Sequence, residues 1–218
     1  MYNLIKYILY KNSPCRSLQN IESKKFKISG ICLEIGNTEL NKKSFFNFFK
    51  IDKKAKKFFT DMKKKKSKNY FNLNLENRNN KKIKFDNIII FNVLEHVYEI
   101  DKAIKEIKKL LKPNGKIFIS TPFLYRYHMA PKDYHRPTLD FYSKLSKKNN
   151  LKIIYQKNLG TGPFLASYSI MHNVLKKIFP VNIIILIIFL FVDKLSHLFS
   201  KNIRSVYPVC NFVVLRKK

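Results

Sequence analysis

The sequence predicts an alternating α/β protein built on a parallel sheet, and three observations carry that prediction. Ile88-Ile89-Ile90-Phe91 is an unbroken apolar run about one strand long, the pattern of a strand buried on both faces. From Ile100 to Leu111, the residues Ile100, Ala103, Ile104, Ile107, Leu110 and Leu111 recur at helical spacing, with lysines covering the opposite face. Asp101 stands in the first turn of that helix, where the macrodipole favours an acid. Pro113-Asn114-Gly115 stops the helix, and Lys116 to Ser120 predicts the next strand. Strand, helix and strand in that order make a βαβ unit, whose crossover demands parallel strands.

The other elements follow in chain order. Leu4, Ile5, Tyr7, Ile8, Leu9 and Tyr10 predict a short N-terminal helix, followed by a polar connection around Asn12 to Asn20. Gly30 to Gly36 (GICLEIG) predicts the first strand and its exit turn, and Phe45 to Ile51 (FFNFFKI) the second strand, ending at Asp52. A helix is expected over Lys53 to Met62 and a solvated lysine loop over Met62 to Asn69. Tyr70 to Leu75 predicts the third strand, Phe141 to Leu151 a helix and Leu151 to Lys157 a strand. Phe164 to Lys177 is helical in pattern, and Tyr207 to Leu215 predicts the last strand. Between them Ile178 to Val192 carries no charge over about 15 residues, short of the roughly 20 that span a bilayer. A buried or dimer-forming helix is the expectation for it, with peripheral membrane contact as the alternative.

Composition narrows the function classes. A chain of 218 residues suits one domain with a sizeable core. Cys15, Cys32 and Cys210 are scattered and lack metal-ligand spacing, which predicts a reducing, cytoplasmic setting. The N-terminus has no long apolar core before a small-residue cleavage site, so no secretory signal is expected. The net charge of +30 invites a nucleic-acid reading. However, the cations are overwhelmingly lysines spread along the chain, beside abundant Asn, Ile and Phe, as an AT-rich genome would produce. Phosphate readers favour arginine's bidentate fork, so nucleic acid is not the expected partner. Anionic lipid or an anionic substrate is equally compatible with the charge.

FDNIIIFNVLEHV followed by KAIKEIKKLLKPNGKIFISTPF resembles the class I S-adenosylmethionine-dependent methyltransferases of the type 11 group. The later HMAPKDYHRPT is similar to a segment of a subset associated with sugar and polysaccharide modification. The resemblance covers residues 28 to 160 well. It implies a Rossmann-like, seven-stranded, mostly parallel sheet with helices on both faces and a helical insertion before a last antiparallel strand. The expected organisation is an N-terminal helical segment (1–27), a core (28–160), the insertion (161–206) and the final strand (207–218).

The resemblance also implies site residues. Glu34 and Gly36 match the acid and glycine that end the first strand at the S-adenosylmethionine turn, while Thr38 and Leu40 replace two further glycines of the pattern. Asp52 lies 52 − 34 = 18 residues beyond Glu34, near the spacing at which an acid takes the ribose hydroxyls. Its other reading is a cap on the next helix. Asn74 falls at the adenine position and Asn92 beside the cofactor. Some relatives bind metal through the Glu-His pair, but Asn92 replaces the further acid, so no metal is expected.

Catalytic candidates come from the chemistry of the residues. His128 is the first choice of base, with Asp133 or Tyr134 to orient it, and His96 is the second, with ordering of its loop as the alternative role. Tyr125, Asp133, Tyr134 and Arg136 concentrate in one loop past a strand end, as a small polar substrate requires. Arg136 would anchor an anionic group or pair with Asp133. The expected activity is O-methylation of a small polar or sugar-like acceptor, with a homodimer through the apolar helix as the expected assembly. The alternatives are a methyltransferase-like scaffold that has lost its cofactor, motivated by the missing glycines, and an RNA-binding protein or RNA methyltransferase, motivated by the charge.

Overall fold

The computed structural model describes residues 2–9, 12–37, 44–61, 69–77, 82–129 and 132–218. Two helices open the chain, α1 (Tyr2–Leu9) and α2 (Pro14–Ser23). Ser13 caps α2 by accepting from the Arg16 amide at 3.3 Å, and Pro14 fills the first helical position, where no amide is needed. The polar connection expected around Asn12 to Asn20 is therefore mostly helix. Its polar residues Ser17, Gln19 and Asn20 are buried, because α2 lies over the sheet edge and is held there by hydrogen bonds.

The strands are β1 (Lys27–Ile28), β2 (Ile31–Ile35), β3 (Lys50–Ile51), β4 (Lys56–Asp61), β5 (Tyr70–Asn72), β6 (Phe85–Phe91), β7 (Leu111–Ser120), β8 (Leu151–Leu159) and β9 (Cys210–Lys217). Seven of them form one sheet in the order β5-β4-β2-β6-β7-β9-β8, while β1 and β3 make a separate parallel pair. Within the large sheet only β9 runs antiparallel to its neighbours. The helices that follow in chain order are α3 (Ile100–Lys109), α4 (Leu139–Lys148), α5 (Pro163–Leu175), α6 (Val181–Phe199) and α7 (Ile203–Val206).

Alternation along the strands builds two cores. Leu33, Ile88, Ile90, Ile117, Ile119, Val213 and Leu215 face α3 and α4. Cys32, Ile89, Phe91, Phe118, Phe212 and Val214 face α1, α2, α5 and α6. The uninterrupted isoleucine run of β6 is explained by this double burial. On α3 the buried stripe is Ile100, Ala103, Ile104 and Ile107, as its spacing predicts.

One strand assignment shifts. Phe45 to Ile51 is not the second strand of the large sheet. Phe45–Phe48 is a single 3-10 turn capped by the Ser44 hydroxyl, followed by the two-residue β3. Phe45, Phe46 and Phe49 are all buried, a spacing that a half-buried strand cannot produce. The segment expected as a helix, Lys53 to Met62, instead holds β4, paired in parallel with β2 from Ile31↔Lys56 to Ile35↔Thr60. Phe58, Phe59 and Thr60 are strand formers, and Phe58 and Phe59 pack in opposite cores.

Candidate active site

In a parallel sheet the strands' carboxyl ends carry the ligand site. Here that edge holds Gly36 after β2, Asp61 at the end of β4, Asn74 beyond β5 and Asn92 after β6. Gly36 has φ +83° and donates its amide to the Thr60 carbonyl at 2.8 Å. A Cβ here would run into the Val93 side chain, so the turn needs glycine for both torsion and space. Glu34 is buried behind it. Its carboxylate accepts from Asn37 Nδ2 (3.0 Å), the Ser44 hydroxyl (2.5 Å) and the Phe45 amide (3.1 Å). Burial raises the Glu34 pKa, and those hydrogen bonds pull it back. The carboxylate thus braces the two ends of the segment between β2 and the 3-10 turn. Thr38 and Leu40 lie outside the described residues.

Asp52 is corrected by the strand order. It precedes β4, its amide bonds the Ile28 carbonyl, and its side chain closes a turn on the Lys54 amide at 2.9 Å. That is the amino end of the sheet, opposite the Gly36 turn, so Asp52 is not the acid beside β2. The residue at the carboxyl end of the neighbouring strand is Asp61, and the strand pattern of Phe58-Phe59-Thr60 just before it was the signal in the sequence. Asn74 turns its side chain back onto the Glu76 amide at 2.9 Å. Asn92, at φ +55°, pairs its amide reciprocally with that of Gln19 at 2.7 and 3.0 Å, and Gln19 also donates to the Ser120 hydroxyl at 3.0 Å. Helix α2 is thereby fastened across the ends of β6 and β7, a contact that nothing in the local sequence announces.

Past β6 and β7, two distant segments converge. Glu95 and His96 lie in the 3-10 turn Leu94–His96, and His128 comes from the loop after β7. The His96 and His128 rings meet edge to face, 5.0 Å between centroids. His96 Nδ1 bonds the Lys132 carbonyl, and its Nε2 lies 3.9 Å from the Glu95 carboxyl. Glu95 is fully buried, neither of its carboxyl oxygens has a hydrogen-bond partner among the described residues, and burial pushes its pKa up to about 8. His128 has its Nδ1 3.5 Å from Asp133 Oδ2, and burial lowers its pKa, with the neighbouring His96 adding to the effect. One donor atom from each of Glu95, His96 and His128 fits within 4.8 Å, a group with the composition to hold a cation.

His128 and the residues from Asp133 to Arg136 are tied together by hydrogen bonds. Arg136 grips Asp133 with both guanidinium nitrogens, and that bond holds the Asp133 carboxyl down to about 2. Asp133 also accepts the His128 amide at 3.0 Å, while the Tyr134 amide bonds the Glu95 carbonyl at 2.8 Å. Of the expected substrate residues, Tyr125 packs against His128 at 5.4 Å between centroids. Arg136 is committed to the clasp, and Tyr134 points to the surface, against Tyr98 at 5.4 Å.

A seven-stranded sheet of this order, with one antiparallel strand beside the edge and a glycine turn after β2, is the Rossmann-like fold of the methyltransferases. Residues 15–153 match the methyltransferase domain model, and the chain belongs to that family. Among solved structures, the [4+2]-cyclase SpnF is similar with a TM-score of 0.54 at 10% identity, covering 93% of this chain and 81% of that one. Haemonchus contortus phosphoethanolamine N-methyltransferase 2, in complex with S-adenosyl-L-methionine, gives a TM-score of 0.53 at 16% identity over 91% of this chain. The present chain spans 52% of that protein. A chain of the complex between the Haloferax volcanii Trm112 methyltransferase activator and a methyltransferase gives 0.57 at 10% identity, over 95% and 90%. No curated protein matches the chain.

Proposed function

We propose that the protein moves the methyl group of S-adenosylmethionine to a hydroxyl of a small polar or sugar-like acceptor. The convergence of Glu95, His96 and His128 beside the glycine turn carries this reading. The rim supports a bound donor: Gly36 leaves backbone open to approach, the neighbouring strand β4 ends on an acid, Asp61, the residue type that suits a diol, and Asn74 follows beyond β5. The buried Thr60 hydroxyl beside Asp61 has no hydrogen-bond partner among the described residues. When bound, the donor supplies an electrophilic methyl on a sulfonium. The chain's part is to hold the acceptor oxygen in line, to exclude water with α2 and the 122–138 loop, and to take the hydroxyl proton. His128 takes it: its lowered pKa favours the neutral imidazole, and the ring is held by packing against His96 and Tyr125, with Asp133 Oδ2 3.5 Å from its Nδ1. Glu95, neutral below about pH 8, adds no competing charge. The similarity of HMAPKDYHRPT to sugar-associated relatives supports the acceptor class.

Calorimetry and labelled-methyl transfer test this. S-adenosylhomocysteine should bind the wild type; Asp61→Asn should weaken it at least tenfold, and Asp52→Asn should leave it unchanged. His128→Ala should keep cofactor affinity within about twofold while losing 10²–10⁴-fold in turnover, the usual range for a general base. Absence of heat with any donor or product analogue would convert the reading to a scaffold.

The orphaned Glu95 carboxyl favours a second reading, in which the same three residues hold a divalent cation that polarises the acceptor hydroxyl. Metal analysis after dialysis, with turnover lost to a chelator and restored by a divalent ion, would select it over the imidazole base.

A further inference from the structure

Helix α6 has two faces with opposite fates. Asn182, Leu186, Leu190 and Asp193, spaced four, four and three apart, turn inward and are buried. Asp193 fixes that rotation. One carboxylate oxygen accepts from the Phe164 amide and the other from the Leu165 amide, both at 3.0 Å, and the Thr161 hydroxyl donates as well. These are the orphan donors at the start of α5, so an acid on one helix caps the other. Gly162, at φ +155°, makes the approach possible, since a Cβ there would strike the Asp193 carboxylate.

With the helix locked in that rotation, its other face points to solvent. Ile184, Ile188, Phe191, Leu195 and Leu198 form a stripe at four- and three-residue spacing, and every one is exposed. Val174 at the end of α5 and Phe179 in the connection to α6 are also exposed, at 70% and 73%. Apolar patches of this kind on a folded chain mark a docking surface. Its occupant is indicated by charge. Between residues 163 and 206 the cations are Lys176, Lys177, Lys194, Lys201 and Arg204, all exposed, and the one acid is the buried Asp193. An apolar stripe ringed by cations with no exposed acid matches an anionic lipid surface, whose headgroups attract the rim while its acyl region receives the stripe. A second copy would bring like charges together around the same stripe.

The geometry points to α6 lying in the plane of an anionic phospholipid membrane, its Ile184–Leu198 stripe immersed and its Asp193 face bolted to the domain. It is long and apolar enough to cross a membrane by composition. At 19 residues and about 1.5 Å rise it only just matches the hydrocarbon thickness, and crossing would pull Asn182 and Asp193 from their places into lipid.

Vesicle flotation of the full chain tests this. Vesicles of phosphatidylcholine mixed with phosphatidylglycerol should carry the protein, and pure phosphatidylcholine should not. Ile188→Lys with Phe191→Lys should cut partitioning at least tenfold while leaving the circular dichroism spectrum and the cofactor affinity unchanged. Lys176→Ser with Lys177→Ser should weaken binding severalfold and flatten its salt dependence. No association with anionic vesicles would overturn the proposal. So would retention through alkaline carbonate extraction, which marks a spanning helix, or a stable dimer that the Ile188/Phe191 variant splits into monomers. Because cofactor affinity is read separately, failure here leaves the methyl-transfer reading standing.

Discussion

At the scale of single residues, the site turns on positions where one atom decides the outcome. Gly36 is the clearest. Alanine would face both a left-handed torsion and the Val93 side chain, at a cost of about 1–3 kcal/mol. Gly36→Ala should therefore lower the melting temperature by several degrees and weaken S-adenosylhomocysteine binding more than tenfold, read by scanning calorimetry and titration. The Asp133–Arg136 clasp gives a second test. Arg136→Lys loses the two-pronged grip but keeps the charge, so turnover should fall severalfold with cofactor affinity unchanged. If affinity for the cofactor fell instead, the clasp would belong to the cofactor side of the site.

Among the elements, two joints stand out. Asp193 ties α6 to the first turn of α5, and Asp193→Ala would strand the part-buried Phe164 amide and the buried Leu165 amide. A loss of about 1–3 kcal/mol follows, measurable by urea denaturation, with α5 and α6 losing amide-exchange protection first. Asp101 ties α3 to α4. It accepts from Asn149 at 2.8 Å and lies 2.8 Å from Lys105 and 3.1 Å from Lys148. The Lys105 hydrogen bond, with Asn149 next, lowers its folded pKa below the unfolded carboxylate value of about 3.9. The stabilisation is then fully present above about pH 3.9 and lost as pH falls from there toward the lower folded pKa. Asp101→Asn should remove that part of the acid sensitivity, so its melting temperature should converge with that of the wild type as pH drops toward 2.

For the whole molecule, a charge of +30 makes self-repulsion a standing cost. Added salt should screen it. The melting temperature should rise between 0.05 and 0.5 M sodium chloride, where the Debye length falls from roughly 14 to 4 Å. A melting temperature that falls with salt would mean that paired charges outweigh the repulsion. The same charge links the fold to its surroundings, because the cations around α6 belong to a general excess rather than to one basic patch. The apolar stripe, not the lysines alone, is what gives that surface a direction.

The sequence by itself determined the parallel sheet, its βαβ centre and the family. Those follow from local periodicities, the isoleucine run of β6 and the 100–111 stripe, and from the motif order around them. It also marked Gly36 and His128, because torsional freedom and titration are properties of the residue type. Phe45 to Asp61 misled, since six phenylalanines supply apolar density in two adjacent segments and only pairing with β2 reveals which segment is the strand. That pairing moved the acid at the sheet edge from position 52 to position 61. Tertiary structure alone decided that His96 and His128 would meet, that polar α2 would roof the rim, and that the most apolar helix would stay half uncovered. Each of these is a contact between groups far apart in the chain, and a linear pattern records what a residue prefers to bury, not which partner arrives to bury it.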